Sequence, residues 1–247
     1  MRRLIFTLLL LVSALSAGAW NKSSYAAIMA LASQSLSPEV GVAVKSTLGG
    51  DLAAATISDR ALNTFSVDEN YTPLRKGERD ALLVAEQCVE RLRHNKNDRE
   101  AILLLAKAVA DMHSVTNLRI EGDDFTNNNY TVRLWNNRKG ESARYTDVKW
   151  RTLWNSYFPG RHILFTAEMY AYDIDLCYSR YRTKYTEGGV ADWVVDVVKE
   201  LRGIYTENLC DRSILAKERV NEYELIHDRL MAKAAYRIAT LLNDILR

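Results

Sequence analysis

A pair of charged residues lies inside an otherwise apolar stretch, and the types and spacing of these two residues suit a chemical role. Lys107 and Asp111 are four residues apart, so a helix places them on one face, one turn from each other. Two functions fit this pair: the lysine binds a phosphate as a cation, or the two side chains form an internal ion pair. Arg151 presents the same alternative, because a guanidinium can bind a phosphate through two parallel hydrogen bonds.

Common catalytic and metal-binding signatures are missing from the sequence. It contains no P-loop, no Gly-x-Ser-x-Gly turn and no His-Glu-x-x-His motif. Cys88, Cys177 and Cys210 follow no metal-binding spacing, and their odd number allows at most one internal disulfide. We interpret His113 as a hydrogen-bonded core histidine. The sequence therefore offers no standard nucleophile, phosphate-binding loop or zinc motif.

The composition is that of a globular protein. The chain has 247 residues, 48% of them apolar and 26% charged, which is enough to bury a sizeable core. Its 33 Lys and Arg residues against 31 Asp and Glu residues exclude a strongly basic protein that coats nucleic acid. Only three prolines and eleven glycines argue against an all-β sandwich with many turns.

The first nineteen residues have the pattern of a secretory signal peptide. Arg2 and Arg3 precede an apolar run over 4–12, and an A-x-A cleavage signal ends at Ala19. The run is too short to span a membrane. We therefore expect a signal peptide over 1–19, a mature chain that begins with Trp20, and a secreted or periplasmic location.

The hydrophobic periodicity predicts an all-α, single-domain helical bundle over 20–247. The predicted helices cover 24–36, 37–48, 51–62, 78–93, 99–113, 147–185 with a break near Pro159, 193–209 and 214–246. The segment 63–77 is predicted to be a loop, because it is polar and contains Pro73. Any β structure is expected in one irregular loop or small β-hairpin near 120–145.

Four features in this order resemble the S-one/P-one nuclease family. They are the mature N-terminus at Trp20, the stretch KAVADMHSVTN over 107–117, the stretch KWRTLWN over 149–155, and the C-terminal run AAYRIATLLNDIL over 234–246. Members of that family begin with Trp and carry the motifs H-x-x-G-D-x-H-Q-P-L-H, N-L-H-x-x-W-D and A-G-x-R-L-A-x-x-L-N. They are secreted, zinc-dependent, single-strand-specific nucleases and 3'-nucleotidases. The resemblance implies the helical fold of zinc-dependent phospholipase C.

The resemblance also implies where a metal centre would lie. Family members hold three zinc ions with the N-terminal Trp, five His and three Asp. It assigns the retained metal positions to Trp20, Asp59 and Asp111, with Asp59 as the candidate catalytic residue. The substituted ligand positions are Tyr25, Lys107, Asn117, Arg151 and Asn155.

These substitutions bear on the expected chemistry, because zinc needs deprotonated N, O or S donors. A protonated Lys has no lone pair, Arg does not deprotonate in proteins, and Asn is a poor zinc ligand. We therefore expect no bound cofactor. If the chain is still an enzyme, we expect it to bind zinc. We also expect Lys107 and Arg151 to neutralise Asp59 and Asp111 in the former zinc cavity.

Two functional hypotheses follow from the resemblance. The chain is a metal-depleted, non-catalytic descendant that binds a ligand or partner in the old cleft, or it is a divergent zinc-dependent endonuclease or 3'-nucleotidase. The second would hydrolyse phosphodiester bonds of single-stranded DNA or RNA, the one partner class that the resemblance suggests. Four tryptophans could stack on bases or fill the core: Trp135, Trp150, Trp154 and Trp193. The tyrosine-rich segment 170–185 is either a cleft wall or a partner surface.

Overall fold

The computed structural model describes residues 20–55, 57–122, 130–136, 144–205 and 209–247, and this part of the chain is mainly helical. The predicted signal peptide over 1–19 lies outside the described residues. The helices are α1 (Lys22–Gln34), α2 (Pro38–Leu48), α3 (Ala81–His94), α4 (Arg99–Met112), α5 (Trp150–Thr152), α6 (Phe158–Gly160), α7 (Ala167–Tyr178), α8 (Arg182–Thr186), α9 (Val190–Tyr205) and α10 (Lys217–Leu246). In the described ranges, no helix combines the length and apolarity that a bilayer crossing requires.

The helix starts follow the capping signals of the sequence. Helix α2 begins where Ser37 accepts a hydrogen bond from the Val40 N–H, and Pro38 occupies its first turn. It ends at Gly49, whose φ of 72° lies in the left-handed region that glycine adopts without steric cost. Asp98 caps α4 by accepting from the Ala101 N–H. The predicted boundaries of these two helices are therefore confirmed to within a residue or two.

Helix α4 lies at the centre of the fold. Eleven of its fourteen residues are buried, and it packs against α3 and against the long C-terminal helix α10. Helix α10 also packs on α1, which in turn packs on α7. Small side chains such as Ala234 and Ala235 are fully buried at these contacts, so the helices can approach closely. This packing explains why the apolar stretch around Lys107 is shielded from water.

Two small mixed sheets correct the prediction that β structure is confined to 120–145. The strands are β1 (Phe65–Val67), β2 (Pro73–Leu74), β3 (Leu118–Ile120), β4 (Thr131–Asn136), β5 (Arg144–Lys149) and β6 (Ser213–Leu215). The first sheet has the order β2-β1-β3 and the second β5-β4-β6, and in each the central strand makes one antiparallel and one parallel pair. The expected hairpin is β4–β5, which extends to Lys149. The other strands have two or three residues, too few for a readable alternation of polar and apolar side chains.

The predicted helix over 51–62 is wrong. Among the described residues of this segment, 51–55 and 57–62, Leu52–Ala54 forms a single 3₁₀ turn and no other residue is helical. Alanines raise the intrinsic helix propensity of this segment, but the following Thr, Ser and Asp side chains are weak helix formers. The prediction also missed the β-strands at 65–67 and 213–215, because both pair with residues far away in sequence.

The three cysteines are free thiols, so the disulfide that their number allowed is not formed. Cys88 is buried, whereas Cys177 and Cys210 are exposed. Burial raises the pKa of the Cys88 thiol to about 11. Because the thiolate is the reactive form, burial and this raised pKa disfavour reaction at Cys88 near neutral pH.

Candidate functional site

Trp20 and the start of helix α1 are held against the central helix α4. Asn21 caps α1 by accepting a hydrogen bond from the Ser24 N–H at 2.8 Å. The buried Trp20 indole N–H donates to the Ala110 carbonyl of α4 at 2.8 Å, and its ring meets the His227 ring edge-on. Trp20 and α1 together fix the position from which Tyr25 reaches α4.

The sequence-predicted pair Lys107 and Asp111 lies in the core of the protein. The two side chains are 1% and 0% exposed, and the Lys107 Nζ lies 2.6 and 2.7 Å from the two carboxylate oxygens of Asp111. Lys107 also donates to the Tyr25 hydroxyl at 2.5 Å, and that hydroxyl donates in turn to Asp111 Oδ1. The internal ion pair expected from the i, i+4 spacing is therefore confirmed.

Asn63 completes the cluster, although sequence reasoning assigned it no role. Its backbone N–H and its side-chain amide donate to Asp111 Oδ2 at 2.8 and 2.9 Å. Asp111 thus accepts hydrogen bonds at both oxygens from three residues that are between four and 86 positions away. We call this set, formed by Tyr25, Asn63, Lys107 and Asp111, the buried cluster.

Burial and pairing act in opposite directions on the charges of this cluster. Burial raises the pKa of Asp111 and lowers the pKa of Lys107, because both charged forms lose hydration. The attraction and hydrogen bonding between the two residues oppose both changes, and the hydrogen bonds from Tyr25 and Asn63 also favour the ionised Asp111 carboxylate. Lys107, Tyr25 and Asn63 therefore all act against the effect of burial on the Asp111 carboxylate.

Two further positions of the resemblance lie around the end of α4. The Asn117 side-chain amide donates to the Asp111 carbonyl at 3.1 Å. Asn155 is buried in a π-helical turn and accepts from the Thr116 hydroxyl at 3.5 Å. Both amides hold the backbone and side chains of this region together through neutral hydrogen bonds.

The structure corrects the expected position of Asp59, and among the described residues it shows no ion pair of Arg151 with Asp59 or Asp111. Asp59 is exposed and accepts a hydrogen bond from its neighbour Ser58, so it does not join Asp111 in a shared cavity. Arg151 is half-buried, and it lies near Arg119, whose pKa is lowered by burial and by the Arg151 charge. The physical reason for the first error is the missing helix over 51–62, which was expected to carry Asp59 inward.

A second buried polar network surrounds His113. Its Nδ1 is 2.6 Å from the Val109 carbonyl, and its Nε2 accepts a hydrogen bond from Arg237 at 2.7 Å. Burial and the positive charge of Arg237 hold the pKa of His113 well below its usual value. The prediction of a hydrogen-bonded core histidine is therefore confirmed.

We expect this neutral His113 to make the protein less stable in acid. The unfolded chain binds a proton at the ordinary His pKa of about 6.5, whereas the folded chain does not. The free energy of unfolding should therefore fall as the pH drops below about 6.5, by up to ~1.4 kcal/mol per pH unit from this residue. Urea denaturation of wild type and His113→Gln between pH 5 and 8 measures the difference in slope. The exposed His94→Gln is the matched control, and equal slopes for His113→Gln and wild type would contradict the prediction.

The aromatic residues divide into core and surface groups. Trp150, Trp154 and Trp193 are buried, whereas Trp135 is 41% exposed on strand β4. Three tryptophans are therefore unavailable for stacking on a base. Within the tyrosine-rich segment, Tyr170 is buried and Tyr172 points to solvent.

The donor set of this region does not fit the zinc cluster that the resemblance implies. Asp111 is the only carboxylate of the buried cluster, and its oxygens accept bonds from an ammonium, a hydroxyl and an amide. Across the described residues, no group of three or more His, Cys, Asp or Glu side chains is arranged to hold a metal ion. A cation at Lys107 would also repel a metal ion at this position.

Comparison with known proteins assigns no relative to the chain. No protein-family model matches it, and no curated protein matches it. The function must therefore be inferred from the residues of the buried cluster and of the surface.

Proposed function

We propose that the chain is an exported, non-catalytic protein with the phospholipase C/P-one nuclease type of helical fold, in which an internal ion pair has taken the place of the metal centre. One observation carries this proposal: the Lys107 ammonium binds both carboxylate oxygens of Asp111 in the core. The carboxylate that zinc would need already has a cation, the Lys107 ammonium, bound to both of its oxygens. In this proposal the fold serves to present a binding surface.

The convergence of the resemblance positions supports the proposed fold. Trp20, Tyr25 and Asn117 are all hydrogen-bonded to the segment of α4 that carries Lys107 and Asp111, although the first two are 82 to 90 positions away in sequence. Such convergence is expected if these residues occupy the positions of former ligands to one metal cluster. Asn155 lies one hydrogen bond further away, on Thr116.

We expect the purified mature protein to contain far less than one zinc ion per chain and to show no zinc-dependent degradation of single-stranded DNA or RNA. The physical reason is that Lys107, Arg151, Asn117 and Asn155 cannot supply the anionic or imidazole donors of a zinc site. Elemental analysis of the protein and nuclease assays with and without added zinc check both parts.

The Asp111→Asn variant is the control for adventitious metal. It keeps the size of the side chain but removes the carboxylate, which is the one group of the buried cluster that could ligate a metal ion as an anion. Stoichiometric zinc and nuclease activity that are both lost in Asp111→Asn would overturn the proposal and support the zinc-dependent nuclease. Zinc that is unchanged in Asp111→Asn is surface-bound and leaves the ion-pair assignment intact.

A further inference from the structure

Helix α7 leaves a continuous apolar face uncovered. Met169, Tyr172 and Leu176 follow the spacing i, i+3 and i+7, which places them in one stripe along the helix. Phe165 precedes the helix and lines the same groove as Met169 and Tyr172. Tyr172 is 67% and Leu176 is 68% exposed. Apolar side chains scattered singly over a surface are ordinary, but a stripe of this length is not.

The turn before α7 adds two exposed apolar side chains beside this stripe in the sequence. Ile163 and Leu164 are 81% and 90% exposed, and they are next to Phe165 in sequence. The opposite side of α7 accounts for its attachment to the fold, since Tyr170 and Ile174 are buried and the Tyr170 hydroxyl donates to Asp228 at 2.9 Å. We call Ile163, Leu164, Phe165, Met169, Tyr172 and Leu176 together the α7 apolar face.

Two carboxylates border a shallow groove on this face. The groove has a volume of about 350 Å³ and is lined by Phe165, Met169 and Tyr172, with Glu168 and Asp173 beside them. At 3.6 residues per turn, Glu168 and Asp173 lie on opposite sides of the stripe. Hydrogen bonding to its own backbone N–H and to Thr166 lowers the pKa of Glu168, so this carboxylate is ionised at neutral pH. In the described part of the chain, neither carboxylate forms an ion pair with a Lys or Arg side chain.

The negative charges of Glu168 and Asp173 indicate which kind of partner can bind the α7 apolar face. A second copy of the chain would place the same acidic borders against each other, and like charges across an interface cost several kcal/mol. An anionic lipid surface would be repelled in the same way. A partner helix that carries apolar anchors flanked by Lys or Arg satisfies both the stripe and its borders.

We propose that the α7 apolar face docks a basic amphipathic segment of another protein. The apolar side chains of that segment lie on Phe165, Met169, Tyr172 and Leu176, and its cations pair with Glu168 and Asp173. The proposal stands apart from the buried cluster, because a failed zinc assignment would leave this surface unchanged.

The test selects peptides from a random library displayed on phage, using the immobilised full mature protein as bait. We expect enriched peptides with apolar residues at helical spacing and flanking Lys or Arg residues. When these peptides are synthesised, Tyr172→Asp and Leu176→Asp should weaken their binding at least about tenfold, as expected for central apolar anchors. Glu168→Lys with Asp173→Lys should weaken binding and reduce its dependence on salt.

Val42→Asp is the matched control, because Val42 is an apolar residue 71% exposed on another helix, and its replacement should leave binding unchanged. Circular dichroism verifies that each surface variant keeps its helical content. The proposal is overturned if selection enriches no peptide that depends on Tyr172, or if the enriched peptides are acidic. It is also overturned if light scattering shows a dimer that Tyr172→Asp dissociates, or if vesicles containing phosphatidylglycerol bind wild type and not Leu164→Asp.

Discussion

Replacing Lys107 with alanine should destabilise the protein by about 3–5 kcal/mol, because the Asp111 carboxylate would remain buried without its cation. Both partners are almost completely shielded from water, and Lys107 bonds both oxygens of Asp111. The double variant Lys107→Ala with Asp111→Asn removes the unpaired charge, so it should recover part of the loss. Chemical denaturation of wild type, both single variants and the double variant measures this coupling.

The exposed pair Lys45–Asp51 provides the control for this cycle. Its two side chains are 63% and 60% exposed at an N–O distance of 3.2 Å, so Lys45→Ala should cost only about 0–1 kcal/mol. If the losses in Lys107→Ala and Asp111→Asn simply add, the two residues are not energetically paired. A role for Lys107 in binding a ligand would then be the better interpretation.

The ion pair could be predicted from the sequence because it is local. A spacing of four residues on an apolar helix requires no knowledge of the rest of the fold. Tyr25 and Asn63 join the pair from 82 and 48 positions away, and only the tertiary packing brings them to Asp111. The resemblance marked Tyr25 as a ligand position, but nothing in the sequence distinguished Asn63 from the other polar residues of its loop.

The errors have one common cause: contacts between residues distant in sequence, and not local helix propensity, determine the structure of these segments. The alanines after Asp51 favoured a helix, yet this segment leads into strand β1, which pairs with β3 more than fifty residues later. Because the predicted helix is not formed, Asp59 lies at the surface and not beside Asp111. The long periodic helices α3, α4 and α10 were predictable, because each carries its apolar stripe over many turns.

Helix α7 shows a different limit of the sequence. Its tyrosines were recognised as either a cleft wall or a partner surface, and hydrophobic periodicity could not separate these alternatives. The structure divides the tyrosines by burial instead: Tyr170 is 3% exposed and belongs to the core, whereas Tyr172 is 67% exposed. Helix α7 is apolar on two faces, and packing against the core accounts for only one of them, the face with Tyr170 and Ile174.

Replacing Arg237 with methionine should be about as costly as removing Lys107, on the order of 3–5 kcal/mol. The buried Arg237 guanidinium donates to the Tyr185 carbonyl at 2.8 Å, to His113 Nε2 and to the Asp196 carboxylate, so one substitution leaves three acceptors short of a donor. Methionine keeps much of the volume and the contact with the core, so the loss reports on hydrogen bonding and charge more than on a cavity. Arg237→Lys retains the charge without the planar fork and should lie between wild type and Arg237→Met.

The same variant should change the titration of His113, which a merely steric defect would not do. Loss of the positive neighbour removes one of the causes that hold the pKa of His113 down, so that pKa should rise in Arg237→Met. Denaturation at pH 7 measures the stability, and NMR titration of the His113 ring measures the pKa. Arg219→Met, at an exposed pair with Glu222, is the control and should cost about 0–1 kcal/mol. If Arg237→Met costs no more than Arg219→Met and leaves the His113 titration unchanged, then the guanidinium does not sustain this network, and core packing alone holds α4 against α10.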